Sequence, residues 1–303
     1  MALRRRTNDP PSLRRSRRTR PRQLRIGAER TAVSARPALF VARDADSTMY
    51  LFGTLHIRRP GPSWGGARAQ AGLAEADEVW TELIISPEID AQTQLLALRH
   101  GMADAGRPLS SYFSSEENAR IGAAAQRFGL QPQVLDAMKP WLAGITLALM
   151  PMIQAGYDPN AGADRLIDAY GDANGKTMRA FETAEEQIQM LASLSDEVQR
   201  EMLLEALGEA EGGAEEMEAM AGAWESGDMA TLERMVVSDL RAHYPDFYRM
   251  LLVERNNAWV GVLTRELEGA GVDFVAVGAG HMLGEDGVVA QLRRRGYTVE
   301  RVE

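Results

Sequence analysis

The sequence predicts an α/β fold: a mixed β-sheet built from the N- and C-terminal parts of the chain, with flanking helices and a large helical insertion over about 88–240. Three observations predict it. Strand-like runs lie at both ends, "ALFVARDADSTMYLFG" and "EVWTELII" early, "VDFVAVG" and "YTVERV" late. The long stretch between them is dominated by helical spacing. Two of the apolar runs also finish alike, in Gly-x-x-His: "YLFGTLH" delivers His56 and "FVAVGAGH" delivers His281.

The elements follow in order. Residues 1–36 hold twelve arginines, one aspartate and one glutamate, a net +10; with −9 overall, the rest of the chain carries −19. Such an Arg- and Pro-rich stretch, poor in apolar residues, is expected to be a disordered tail. It has no apolar h-region and, as written, reads as no export signal. Order is expected from about residue 37, as a single domain over 37–303. Residues 38–42 and 48–53 read as hairpin strands around the turn "RDADS". A helix is expected over 66–76, and a third strand over 78–85, ended by Pro87. From about 89 to 170 the pattern is helical, with polar starts and glycine stops. Residues 178–183, "MRAFET", form a short strand that runs into a helix start. Residues 185–224 read as acidic helix broken at Gly212-Gly213, and "DFYRMLLVERNNAWVGVLTRELEGAG" as one long helix. A buried-type strand, a helix over "EDGVVAQLRRRG" and a last strand complete the chain.

Composition excludes several chemistries. Without cysteine there is no disulfide, no thiolate metal site and no cysteine nucleophile. An acidic body is poorly suited to nucleic acid, which needs clustered Lys and Arg. No run reaches the roughly 18–20 apolar residues of a membrane span; "WLAGITLALMPMI" is short, carries Pro151 and reads as a buried helix. Walker loops, dinucleotide fingerprints in the right setting and Gly-x-Ser-x-Gly elbows are absent.

The candidate chemistry gathers at strand ends, where open α/β sheets place their ligands. His56 and His281 share one local context, and glycine lets backbone approach a ligand closely. Glu82 is a charge among apolar neighbours at the end of the third strand, suited to ligate a metal or act as a general base. Thr183 and Glu186 fit a capping box, which leaves Glu182 unexplained at its strand end. Arg255 and Asn256 sit on the long helix between apolar flanks. A buried arginine needs an anion, and Glu82, Glu182 or a substrate oxygen would serve. His100 and His243 read as surface or capping histidines.

Taken together, "YLFGTLH", "ADEVWTEL", "GADRLI" with Asp164, "FETAEEQ", "ERNNAWV" and "FVAVGAGHMLGEDGVVAQLRRRGYTVERV" resemble the TraB/GumN family, which includes the Tiki proteins. The resemblance implies a fold shared with erythromycin esterases and haem-binding ChaN-like lipoproteins, and one pocket lined by both Gly-x-x-His motifs and acidic residues. Tiki members are metal-dependent proteases, so a metal-dependent hydrolase of peptide or amide bonds is implied. His56, His281 and Glu82 would hold a divalent Mn, Co or Zn ion. Glu82 or Glu182 would activate water, and Arg255 and Asn256 would stabilise negative charge on a substrate oxygen. The same residues also suit a metal-independent, histidine-based esterase, or a non-catalytic haem- or peptide-binding protein. The expected partner is a peptide or small-molecule substrate, and neither oligomeric state nor location is legible. Relatives are often periplasmic or membrane-anchored, which implies a periplasmic location if the start site lies elsewhere.

Overall fold

The computed structural model describes residues 35–61, 64–212 and 214–303. The tail expected over 1–36 therefore lies outside the described residues except for Ala35 and Arg36. Arg36 already donates its N–H to the Glu225 carbonyl.

Six strands form one sheet in the order β4-β3-β5-β2-β1-β6. They are β1 (Leu39–Arg43), β2 (Ser47–Thr54), β3 (Glu78–Thr81), β4 (Thr177–Ala180), β5 (Gly271–Gly278) and β6 (Thr298–Arg301). β1 runs antiparallel to both β2 and β6, while β2, β5, β3 and β4 are mutually parallel. The β1–β2 turn is closed by Asp44, whose Oδ1 accepts from the backbone N–H of Asp46 and Ser47 and from the Ser47 hydroxyl, an Asx turn. β5 inserts between β2 and β3, so the late part of the chain supplies the centre of the sheet.

Side chains alternate between two cores, as the pleat requires. Leu39, Phe52, Val79, Phe274 and Ala276 face one way, Phe40, Leu51, Trp80, Val275 and Val277 the other. The near-unbroken apolar run of β5 follows from burial on both faces.

In chain order the helices are α1 (Ala67–Glu75), α2 (Pro87–Gly101), α3 (Ser115–Arg127), α4 (Pro132–Asp136), α5 (Pro140–Gln154), α6 (Ala163–Ala173), α7 (Ala184–Ala192), α8 (Asp196–Gly212) and α9 (Ala214–Ser226). There follow α10 (Met229–Leu232), α11 (Asp239–His243), α12 (Pro245–Tyr248), α13 (Arg255–Leu267) and α14 (Val288–Arg294). α1, α5, α6 and α9 contribute Leu73, Trp141, Ile167 and Trp224 to the first core; α13 and α14 cover the second with Trp259, Leu263 and Leu292. A separate cluster centred on Leu147, Leu203 and Leu207 ties α5 to α8 within the helical part. The break expected at Gly212-Gly213 falls where α8 ends, with Gly213 outside the described residues.

Three expectations shift. The third strand ends at Thr81 rather than near 85, because Thr81 Oγ1 turns to the Leu83 carbonyl and the Ile85 N–H goes to Asp168 Oδ2. The long helix is interrupted over Arg249–Glu254 by a π-helical turn, a feature frequent at functional sites. The C-terminal helix starts at Val288, after "GED" is taken into a turn. No helix of the described residues is long and apolar enough to cross a membrane.

Candidate functional site

The four parallel strands end along one edge of the sheet. Thr54 of β2 pairs with Gly278 of β5, Ala276 with Thr81 of β3, and Thr81 with Ala180 of β4. Immediately beyond these ends stand His56, His281, Glu82 and Glu182. Backbone pairing continues past the strands: Phe181 N–H donates to the Thr81 carbonyl and Glu182 N–H to that of Glu82, both at 3.0 Å. The two glutamates are thus held side by side.

Each histidine is oriented through Nδ1. His56 Nδ1 lies 2.8 Å from Asp164 Oδ2 in the first turn of α6. His281 Nδ1 lies 2.7 Å from Asn256 Oδ1, and the Asn256 amide nitrogen donates to the Asp286 carbonyl. With Nδ1–H donating, His281 turns an Nε2 lone pair, and His56 an Nε2 that bears a proton in its imidazolium form, toward the strand ends. Both Nε2 atoms face one oxygen, Glu82 Oε1, at 3.8 Å from His56 and 3.7 Å from His281.

Their electrostatics differ. The His56 side chain is 57% exposed. Desolvation disfavours its imidazolium, yet the hydrogen bond and charge of Asp164, with Glu82 beyond, push it up to about 9. His281 is 4% exposed; burial, aided by the charge of Arg255, pushes it down to about 3 and keeps it neutral. Arg255 Nη1 donates to its Nε2 at 3.1 Å.

Arg255 is the hub beneath the site. Its Nη2 donates to Glu82 Oε2 at 2.6 Å, and its Nε and Nη2 grip Glu182 at 2.8 and 2.9 Å. Its guanidinium lies over the Trp259 ring, 4.7 Å from the centroid. Glu82 also accepts the Gly278 N–H at 2.7 Å. Burial alone would raise its pKa, but Arg255, the His56 imidazolium and this N–H hold it well below the usual carboxylate range. Glu182 accepts two further donors, Trp259 Nε1 and Gln187 Nε2. It is an anchor for Arg255. Arg255 and Asn256, expected at a substrate oxygen, spend their donors inside the protein; Asn256 is 1% exposed.

The glycines of the two Gly-x-x-His motifs face each other's motif. A Cβ on Gly53 would stand 2.9 Å from the Ala279 Cα. A Cβ on Gly278 would stand 3.1 Å from Glu82 Oε1 and 3.2 Å from His56 Nε2. Neither glycine has positive φ, so close approach, not backbone conformation, requires them.

A cavity of about 320 Å³ opens over the strand ends, its walls including His56, Glu82, Asp164, Gln187, Thr54 and Thr81. Thr54 Oγ1 is buried there without a hydrogen-bond partner. Among the described residues, no group of three or more His, Cys, Asp or Glu side chains is gathered as a metal cluster in its present arrangement. Thr183 and Glu186 form the expected capping box at α7. His100 lies in the last turn of α2, and His243 Nδ1 bonds the Asp239 carbonyl within α11; neither lines the cavity. The sequence alone assigns no role to Asp164 or Gln187 and marks Trp259 only as an apolar flank of Arg255 and Asn256. A polar residue at the start of a helix reads as a cap, and nothing local ties Asp164 to a histidine 108 positions away.

No curated protein gives a significant match to the chain. The model of the TraB/PrgY/gumN family matches residues 38–301, nearly all of the described fold and every strand-end residue above. The chain belongs to the TraB/PrgY/gumN family.

Proposed function

We propose that the protein is a metal-dependent hydrolase of peptide or amide bonds, with His56 Nε2, His281 Nε2 and Glu82 Oε1 holding a divalent ion such as Mn²⁺, Co²⁺ or Zn²⁺. One observation carries the reading: two histidines from opposite ends of the chain, each fixed through Nδ1 by an oxygen, aim Nε2 at the same carboxylate oxygen. Three acceptors turned toward one point repel unless a proton or cation lies among them. Imidazole and carboxylate are ligands of such ions, and outer oxygens on Nδ1 are their usual support. In the present arrangement Arg255 Nη1 engages the His281 lone pair, so the guanidinium and a cation compete there.

A divalent ion, when bound, supplies polarisation of the scissile carbonyl and a water of lowered pKa. The chain's own residues do the rest. Asp164 and Asn256 keep both rings in the Nδ1–H form. Arg255 and the Gly278 N–H keep Glu82 anionic and immobile. Glu82 lines the cavity and would stand against the ion; Glu182, accepting four hydrogen bonds, is spent on Arg255, Trp259 and Gln187. Arg255 is therefore a positioning residue.

The histidine-base alternative is less well supported. A histidine with its pKa near 9 is an acid at neutral pH, and His281 is buried with its Nε2 occupied. Hydrolysis of a mixed peptide library by the purified protein tests the reading. Activity should vanish on exhaustive chelation and return with Mn²⁺, Co²⁺ or Zn²⁺. Undiminished cleavage after chelation contradicts it.

A further inference from the structure

A second cavity, of about 750 Å³, lies beside the first and shares Ile85, Asp90 and Arg165 with it. We propose that this cavity is the subsite for a lysine or arginine side chain of a peptide substrate, with Asp168 as the anion that recognises it. The proposal rests on the peptide-hydrolase reading and specifies its substrate.

Asp168 lies on α6 and is 4% exposed. Its Oδ2 accepts the Ile85 N–H at 3.1 Å, but its Oδ1 is buried without a partner. An unpaired buried carboxylate oxygen is costly and suits a ligand that brings a donor. The cation already lining the cavity does not serve it: Arg165 is taken by Asp90 through two bonds of 2.8 Å. Ile84, Ile85 and Met178 give apolar wall for an aliphatic stem, as long basic side chains require. Asp172, one turn along α6, and Glu88 add negative charge nearer solvent. Burial raises the Asp168 carboxyl to about 7, and a guanidinium or ammonium against Oδ1 would draw it back to the ionised form.

The geometry connects this subsite to the chemistry. Asp168 holds Ile85, three residues after Glu82, and lies one helical turn after Asp164, which holds His56. A side chain seated on Asp168 thereby orients the peptide across the strand ends.

The test uses matched peptides that differ only in arginine against citrulline, its neutral isostere. The wild-type protein should favour arginine by about tenfold or more in kcat/KM, the scale of one charge-assisted bond. In Asp168→Asn, which keeps an acceptor for the Ile85 N–H, the ratio should fall to about one. An equal rate on both peptides by wild type, or an unchanged ratio in the variant, overturns the proposal. If Asp168→Asn does not fold, Asp172→Asn should lower the ratio by a smaller factor, and an unchanged ratio there overturns it. A measurement without turnover separates the two readings. n-Butylguanidine should bind wild type saturably in a calorimetric titration, and Asp168→Asn should lose that binding. Cleavage of no peptide at all rejects the hydrolase reading, and the titration then judges the subsite alone: binding lost in the variant sustains it, no binding to wild type overturns it.

Discussion

Arg255 Nη2 stands 2.6 Å from Glu82 Oε2, joining residues 173 positions apart in the sequence. The contact makes the site one electrostatic unit. Glu82 faces both histidines, Glu182 clamps the far side of the guanidinium, and Trp259 lies beneath it. Removing Arg255 takes the shared partner from two carboxylates where water hardly reaches.

Arg255→Ala should therefore destabilise the fold as well as the site. Breaking a largely buried pair by deleting one partner costs about 3–5 kcal/mol, and two carboxylates lose their partner here. Chemical denaturation should show a midpoint shift of that size. A loss below about 1 kcal/mol would mean that solvent already screens the pair.

The two motif glycines should fail in different ways. Gly53→Ala drives a Cβ against the Ala279 backbone at 2.9 Å, and overpacking against backbone costs about 1–3 kcal/mol of stability. Gly278→Ala places its Cβ in the gap between Glu82 and His56. It should impair cation binding and hydrolysis far more than the melting temperature. Equal effects of the two variants on stability and on activity would contradict this division.

The pH dependence has a definite sign. His56 titrates near 9, above its ordinary value, because Asp164 and Glu82 favour its charged form over the opposing desolvation. A cation on Nε2 must displace that proton, so its apparent affinity should rise with pH by up to about tenfold per unit, flattening near pH 9. Mn²⁺ titrations between pH 6.5 and 8.5 would reveal this slope. A flat profile over that range excludes His56 as a ligand. The imidazolium's own contribution to folding runs the other way: it is full below about pH 6.5 and fades as pH climbs through 9.

His56 and His281 are legible in the sequence because each ends an apolar run, Glu82 because it is a charge among apolar neighbours, and Glu182 because the capping box beside it leaves it unexplained. The sheet of two chain ends followed from the same pattern. The supporting contacts were not legible. Asp164 reads as an ordinary first-turn carboxylate on α6, and its bond to His56 exists only once the helical part packs back on the sheet. Arg255 and Asn256 were visible as polar residues between apolar flanks, but their roles depend on rotation about the helix. The π turn at Arg249–Glu254 adds a residue to the helical repeat just before them, and no spacing rule announces it. The third strand ends before "LII", which has strand composition, because Asp168 takes the Ile85 N–H out of the sheet.

The central claim is that His56 and His281 hold one cation together. Equilibrium dialysis against Mn²⁺ followed by elemental analysis tests it most directly, on the wild type, His56→Ala and His281→Ala. About one ion per chain is expected in the wild type, with a loss in each variant of at least about a hundredfold in affinity, the upper end of what even an outer partner of a ligand costs. Unchanged metal content in either variant, or none in the wild type at saturating Mn²⁺, would contradict it.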